Sequence, residues 1–390
     1  MKKQRVKFEM LTLVNFLESK PLYYDEIDYE RFPKIFKKIK QHFSKKKIIH
    51  LIGTNGKGTT GRFLATALLN KGYKVGHYTS PHILKFNERI WIDGDDVSDL
   101  ELEKMHKVLV GILDADDLEA LSYFEYTTLL AMLVFDKCEY VVLEAGLGGE
   151  HDATAVFEKN LTLVTPIDLD HQAFLGNNIT QIAQTKLNAI KNNAIVATQK
   201  HKKVYEVASS LDKHLNIYTL ESMLDPEDKQ KVFEIAKNLS LASYLQNNLS
   251  LAIAALKFFN IEYKVADFQK AKLFGRMSKV GENIIVDVGH NPLAATSIVE
   301  ELKEKKYTLV YNSYKDKDYK MILEILKPII KEVQIIDIEA QRIEDKSTLH
   351  KILKDLKIEY TQYHKVEPNK EYLVFGSFSV VERFLKEYME

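Results

Sequence analysis

Short apolar runs alternate with stretches of helical spacing between residues 47 and 212. Runs at 48–52, 74–78, 139–143, 161–164 and 194–198 have the length and the polar bounds of buried strands. Between them, 62–70 sets Phe63, Leu64, Ala67 and Leu68 on one side of a helix, and 99–112, 125–135, 179–191 and 201–212 carry the same period. Helical spacing also marks 8–20 and 31–43, which flank a loop at 21–30 rich in Tyr, Asp and Glu. Strands alternating with helices predict a parallel sheet covered on both faces. Residues 213–245 are less regular, and a helix at 249–259 follows, with Asn247 or Asn248 placed to cap it. Leu273-Phe274-Gly275-Arg276 breaks the pattern. Beyond it, strands at 283–288, 307–311, 332–337 and 371–375 alternate with helices at 292–305, 318–331, 346–355 and 379–388. The expected architecture is α/β, with one domain over 1–275 and a smaller α/β domain over 276–390.

The ends of the strands carry the candidate chemistry. The run at 48–52 leads into Gly53-Thr54-Asn55-Gly56-Lys57-Gly58-Thr59 and then a helix. Strand, glycine turn and helix make a phosphate cradle. Glycines let backbone N–H groups crowd an anion, the helix N-terminus adds the positive end of its dipole, and Lys57 adds a point charge. The generic P-loop spacing is met imperfectly: Leu51 stands where its first glycine is expected, and Gly58 separates Lys57 from the hydroxyl of Thr59. Pro81 prevents a helix from starting before it, so Ser80 and His82 are expected on an extended loop past the strand at 74–78. Glu144 ends the next strand before Gly146-Leu147-Gly148-Gly149, and reads equally as a magnesium ligand or as an acid capping a turn. His171, taken alone, reads first as a satisfied structural histidine, but three strand tips with polar groups on one edge favour a ligand site there.

Composition narrows the class. The 390 residues exceed what one core usually supports, which agrees with two domains. Apolar residues make up 45% and the 55 basic side chains balance 55 acidic ones, so nothing points to nucleic acid. The Lys-rich runs at 37–47 and 301–306 end helical patterns and read as solvated faces. The single cysteine, Cys138, excludes an internal disulfide and suits a reducing cytosol. No signal-peptide pattern opens the chain and no apolar run approaches transmembrane length, so a cytoplasmic protein without membrane partners, acting as a monomer on small molecules, is expected.

Five ordered motifs carry a family resemblance. They are the cradle, Tyr78-Thr79-Ser80-Pro81-His82 with Glu88-Arg89-Ile90, Glu144 to Gly149 with Asp152-Ala153-Thr154, Asp170-His171 with Leu175-Gly176, and Asp287-Val288-Gly289-His290-Asn291-Pro292. Together they resemble folylpolyglutamate synthase/dihydrofolate synthase, a family of Mur-type amide ligases, from about residue 25 to Val380. The resemblance implies a P-loop ATPase domain followed by a smaller Rossmann-like domain that completes a glutamate ligase. It implies that ATP phosphorylates a dihydropteroate or reduced-folate carboxylate and that L-glutamate attacks the acyl phosphate. By the same resemblance Thr54, Asn55, Gly56, Lys57, Gly58 and Thr59 hold ATP with Asn248, Arg276 and Asp287, and Ser80, Glu144 and His171 hold Mg²⁺. Lys186 matches a lysine carried as a carbamate, and His290 a histidine in the cleft, so Lys57, His171, Lys186 and His290 are the implied catalytic set. Ser80, His82, Phe124, Glu125, Asp152 and Ala153 fall on the substrate side, where Phe124 is also a platform for a flat pterin.

Departures from the family pattern cluster near the substrate. Glu150 replaces an arginine, and Glu26-Ile27-Asp28-Tyr29 lacks the usual glycine and leucine. Around Lys186, Thr185 stands for a glutamate and Leu187-Asn188 for a small residue and glycine, which leaves a surface lysine as the rival reading. Two other functions remain open: a nucleotide-dependent switch, and a sister ligase acting on a non-folate substrate. The nearest match to a guanine-reading motif, Asn369-Lys370-Glu371-Tyr372, ends in the wrong residue.

Overall fold

The computed structural model describes residues 8, 10–21, 28–340 and 342–389. Its first sheet contains β1 (Lys47–Ile52), β2 (Val75–Tyr78), β3 (Ile90–Ile92), β4 (Asp95–Asp96), β5 (Tyr140–Glu144), β6 (Leu161–Val164), β7 (Asn193–Val196) and β8 (Asn216–Thr219). Their order is β4-β3-β2-β5-β1-β6-β7-β8. All neighbours from β2 to β8 pair in parallel, so every one of those strands delivers its C-terminal end to the same edge. Only the β2–β3 and β3–β4 pairings are antiparallel. Parallel strands packed by helices on both faces must be apolar throughout, and β1, β2, β5 and β6 are buried along almost their whole length.

Helix Lys57–Asn70 lies on this sheet and packs along helix Leu245–Phe258. Leu249, Leu251, Ile253 and Leu256 join Phe63, Leu64 and Leu68 in one apolar cluster, each burial contributing about 1.5–3 kcal/mol. The second sheet orders its strands β13-β12-β11-β14-β10-β9, where β9 is Ser278–Lys279, β10 Ile284–Asp287, β11 Tyr307–Tyr311, β12 Ile330–Ile335, β13 Tyr360–Gln362 and β14 Tyr372–Phe375. All pairs but β9–β10 are parallel. The C-terminal ends of β10 and β14 face the cradle across a shared cavity. Among the described residues, no helix is long and apolar enough to cross a membrane.

The structure corrects several sequence expectations. Residues 216–219 form β8, and Pro226–Leu239 is a full helix that the reading of 213–245 missed. Its start was encoded: Asp225 and Asp228 form a reciprocal capping box with Pro226 at the first turn. The cradle helix begins at Lys57, five residues earlier than its apolar period suggested, because the first turn is glycine and threonine. The helix expected at 249–259 begins at Leu245. Asn247 and Asn248 therefore lie inside it and cap nothing; Tyr244 occupies the cap position without a side-chain bond. The antiparallel β3–β4 hairpin falls between the Ser80 loop and the helix at 99–112, where the sequence reading placed no element. Cys138 is buried, its thiol pushed up to about 12 by burial, as expected of a packing residue.

Candidate active site

The cradle's geometry explains its unusual glycines. Gly56 takes φ +90° at the helix N-terminus, and a Cβ there would stand 2.4 Å from Oδ1 of Asn248. Asn248 is buried, so helix Leu245–Phe258 braces the turn through that amide. Gly58 stands where the generic motif has a hydroxyl residue. A Cβ on it would lie 2.8 Å from Thr79 Oγ1 and 3.1 Å from Glu144 Oε2. Its bareness lets the tips of β2 and β5 reach the first helical turn. No side chain caps that turn, which leaves its amides to a ligand. The loop's other end is tied down, Thr54 N donating to Pro166 O at 2.9 Å and Thr54 Oγ1 to Asp168 O at 3.1 Å.

Charges converge on this turn. Lys57 Nζ donates to Gly53 O at 3.2 Å and lies 3.9 Å from Glu144 Oε1. Glu144 is buried; its Oε2 accepts from Thr79 Oγ1 and, at 3.3 Å, from Ser80 N. Burial raises its pKa, opposed by Lys57, the Thr79 hydroxyl and Arg276. Thr59 Oγ1 is buried with no hydrogen-bond partner. An orphaned hydroxyl near a buried carboxylate and the Ser80 loop is a hard-oxygen set that fits Mg²⁺.

Lys186, at the end of helix Ile179–Leu187, is buried. Its Nζ donates to Leu147 O at 2.9 Å and Gly53 O at 3.1 Å. Burial, helped by repulsion from Lys57, brings its pKa down to about 7. The surface reading of this lysine is therefore wrong. Asp170, His171 and His290 bring their ligand atoms within 4.8 Å of one another. Burial holds His171 neutral, its pKa brought down to about 3. The resemblance implies one magnesium on Ser80 and Glu144 and a second on Glu144 and His171. Glu144 does not belong to this convergent group, where Asp170 and His290 stand beside His171 instead. Asp170 is already engaged: Lys317, from the loop after β11, donates to its Oδ1 at 2.6 Å. Burial opposes its ionisation, but His290, His171 and Lys317 together hold its carboxyl far below the usual range.

A cavity of about 430 Å³ joins these parts. Thr54, Asn55, Gly56, Lys57, Gly58, Thr59, Ser80, Glu144, His171, Lys186 and Asn248 line it from one side, and Arg276, Asp287 and His290 from the other. Five expected substrate residues do not line it. His82 accepts from Arg89 Nε at 2.8 Å, and burial with that guanidinium brings it down to about 4. Phe124 packs on Gly146, one layer behind the cavity. Glu125 is engaged by Arg31 at 2.8 Å and by its own helix cap. Asp152 accepts from Gly146 N at 2.9 Å and from Thr154 Oγ1 at 2.6 Å, so it shapes the loop after β5, and Ala153 is buried behind it. Of the departing stretch at 26–29, residues 26 and 27 lie outside the described residues, while the Tyr29 ring lies tilted against His151, centroids 4.2 Å apart. Lys370 of the would-be guanine motif pairs with Glu332 and Glu367 instead. Sequence reasoning placed Asp170 and Asn291 inside motifs without giving either a role, and passed over Lys317. The signal available was their place just past the tips of β6, β11 and β10.

A dihydrofolate synthase/folylpolyglutamate synthase of Haemophilus influenzae is 32% identical over 387 residues, which cover 86% of this chain and 88% of the relative. The chain belongs to the dihydrofolate synthase/folylpolyglutamate synthase family. It is accordingly an ATP-dependent ligase that adds glutamate in folate metabolism. The crystal structure of Helicobacter pylori folylpolyglutamate synthetase matches 97% of this chain and 98% of its own, with TM-score 0.79 and 39% identity. Escherichia coli FolC in complex with DHPP and ADP matches with TM-score 0.80 at 25% identity over 97% of this chain and 98% of its own. No protein-family model matches the chain. The lining of the shared cavity brings cationic side chains and backbone amides from both sheets together.

Proposed function

We propose that the chain joins L-glutamate to dihydropteroate, to reduced folates, or to both, in the cavity between the two sheets, with residues 1–275 serving nucleotide and pterin and 276–390 serving glutamate. A carboxylate is a poor electrophile until one oxygen becomes a good leaving group. Its oxygen therefore attacks the γ-phosphorus of ATP first, giving an acyl phosphate and ADP. The glutamate amine then attacks the acyl carbon, inorganic phosphate leaves, and the nitrogen loses a proton. The cradle amides and Lys57 offset the repulsion between the two anions and the charge that develops in transfer. Asn248, Arg276 and Asp287 hold ATP from two sides of the cavity.

Ser80 and Glu144, with the orphaned Thr59, would hold Mg²⁺, and the neutral imidazole of His171 is fit to ligate a second ion. The metal, when bound, neutralises phosphate charge. Lys186 is read as a carbamate. A neutral amine has two N–H bonds, which Gly53 O and Leu147 O accept, and its lone pair remains for CO₂, with loss of one proton on addition. The observation that carries the proposal is the convergence of Lys57, Glu144, Arg276 and Asp287 on one cavity. ATP hydrolysis stimulated by a pteroate, and not by cell-wall nucleotide precursors, is the expected test result; the reverse would favour the sister ligase.

A further inference from the structure

Two kinds of contact join the sheets, and they lie apart in chemistry. One is apolar. Ile83, on the loop after β2, belongs to the second sheet's core with Val286, Val288 and Phe384, and a Cβ on Gly275 would come within 2.6 Å of its Cδ1. This packing sits beside the chain crossing near residue 275. The other is polar. Asn55 of the cradle and Asn291 exchange both amide hydrogen bonds, at 3.0 and 2.8 Å. Next to them Lys317 reaches Asp170 at 2.6 Å, both side chains less than a tenth exposed. Asp170 Oδ2 also faces His290 at 3.6 Å and His171 at 3.8 Å and receives Asn291 Nδ2 at 3.4 Å.

We propose that Asp170 is the clasp that closes the second lobe on the phosphate cradle, a positioning residue that sets Lys317, Asn291 and His290 at the reacting cavity. It touches three groups of the other lobe, and no other described carboxylate of the first lobe does so. When the lobes part, its charge and that of Lys317 return to water. When they close, each neutralises the other in a buried place, and the Asn55–Asn291 pair falls into register. Removing one partner strands the other charge inside, which favours opening; removing both does not. The catalytic consequence rests on the ligase reading above, but the closure does not.

The test is a distance between lobes. Cys138 is buried, so spin labels on Lys202→Cys and Lys320→Cys, both exposed positions, report one pair in nucleotide-free protein. Asp170→Asn is expected to move the distance distribution from short to long, Lys317→Met likewise, and the double variant back toward the parent. Asp170→Asn is also expected to lower the ligation rate at least ~10-fold, and the double variant to recover part of that loss. Parent and single variants with the same distribution, or a double variant as open as the sum of the singles, would overturn the proposal. The distances require no substrate, so a failure of the ligase reading would appear only in the rates. Should Asp170→Asn not fold, Lys317→Met alone decides by the same shift.

Discussion

Glu144 Oε1 and Lys57 Nζ face each other at 3.9 Å, a buried strand-tip carboxylate against the ammonium of the cradle. The pair brackets the space where a polyphosphate and its metal would meet. Replacing Lys57 with Ala removes the cradle's point charge and leaves the glycine turn and helix intact. Ligation is expected to fall by ~10³-fold or more with an unchanged circular-dichroism spectrum. Near parental turnover would remove Lys57 from the phosphate site.

Glu144→Gln keeps the acceptor for Thr79 and Ser80 but deletes the charge. Activity is expected to drop ~10²-fold or more and the Mg²⁺ concentration for half-maximal rate to rise. His171→Ala should shift Mg²⁺ dependence less, since His171 converges with Asp170 and His290 and not with Glu144. Equal shifts in the two variants would place both residues on one ion.

Gly56→Ala combines a left-handed backbone with a collision against Asn248. A loss of about 1–3 kcal/mol in stability is expected from urea unfolding, together with weaker ADP binding. Adding Asn248→Ala should recover part of the stability by freeing the space. No recovery would mean that backbone strain alone sets the cost.

Much of the cradle was legible because its function constrains the backbone, and backbone constraints are written in glycine. The strand at 47–52, the glycine turn and the lysine could each be read locally. Gly58 could not be explained in that way, since the reason for it is the approach of Thr79 and Glu144 from two other strands. Asn248 read as a cap because asparagine is a good cap and a poor helix former, yet tertiary contact with Gly56 holds it inside a helix. Asp170 and Lys317 are 147 residues apart, and nothing in either neighbourhood announces the ion pair. Helix Pro226–Leu239 was missed despite its capping signal, because its apolar stripe is sparse: Val232, Ile235, Ala236 and Leu239.

Lys186 supplies a pH test. Its pKa is lowered to about 7 in the folded chain against 10.5 unfolded, so above pH 7 the unfolded state binds more protons and stability rises with pH until about 10. In CO₂-free buffer, Lys186→Met is expected to be more stable than the parent at pH 6.5, with the gap narrowing as pH rises to 10. A gap independent of pH would show that Lys186 stays charged in the folded protein. Added bicarbonate should raise the parent's ligation rate and leave Lys186→Met unaffected.

The central claim is that this cavity makes an amide between a pterin-bearing acid and glutamate. Mass spectrometry of products from ATP, Mg²⁺ and L-glutamate with either dihydropteroate or tetrahydrofolate tests it directly. The expected result is a product one glutamyl residue heavier in at least one of the two reactions, formed in step with ADP. Product from both acids makes the enzyme bifunctional despite Glu150 and the altered 26–29 stretch. ADP release with no ligated product from either acid would contradict the claim.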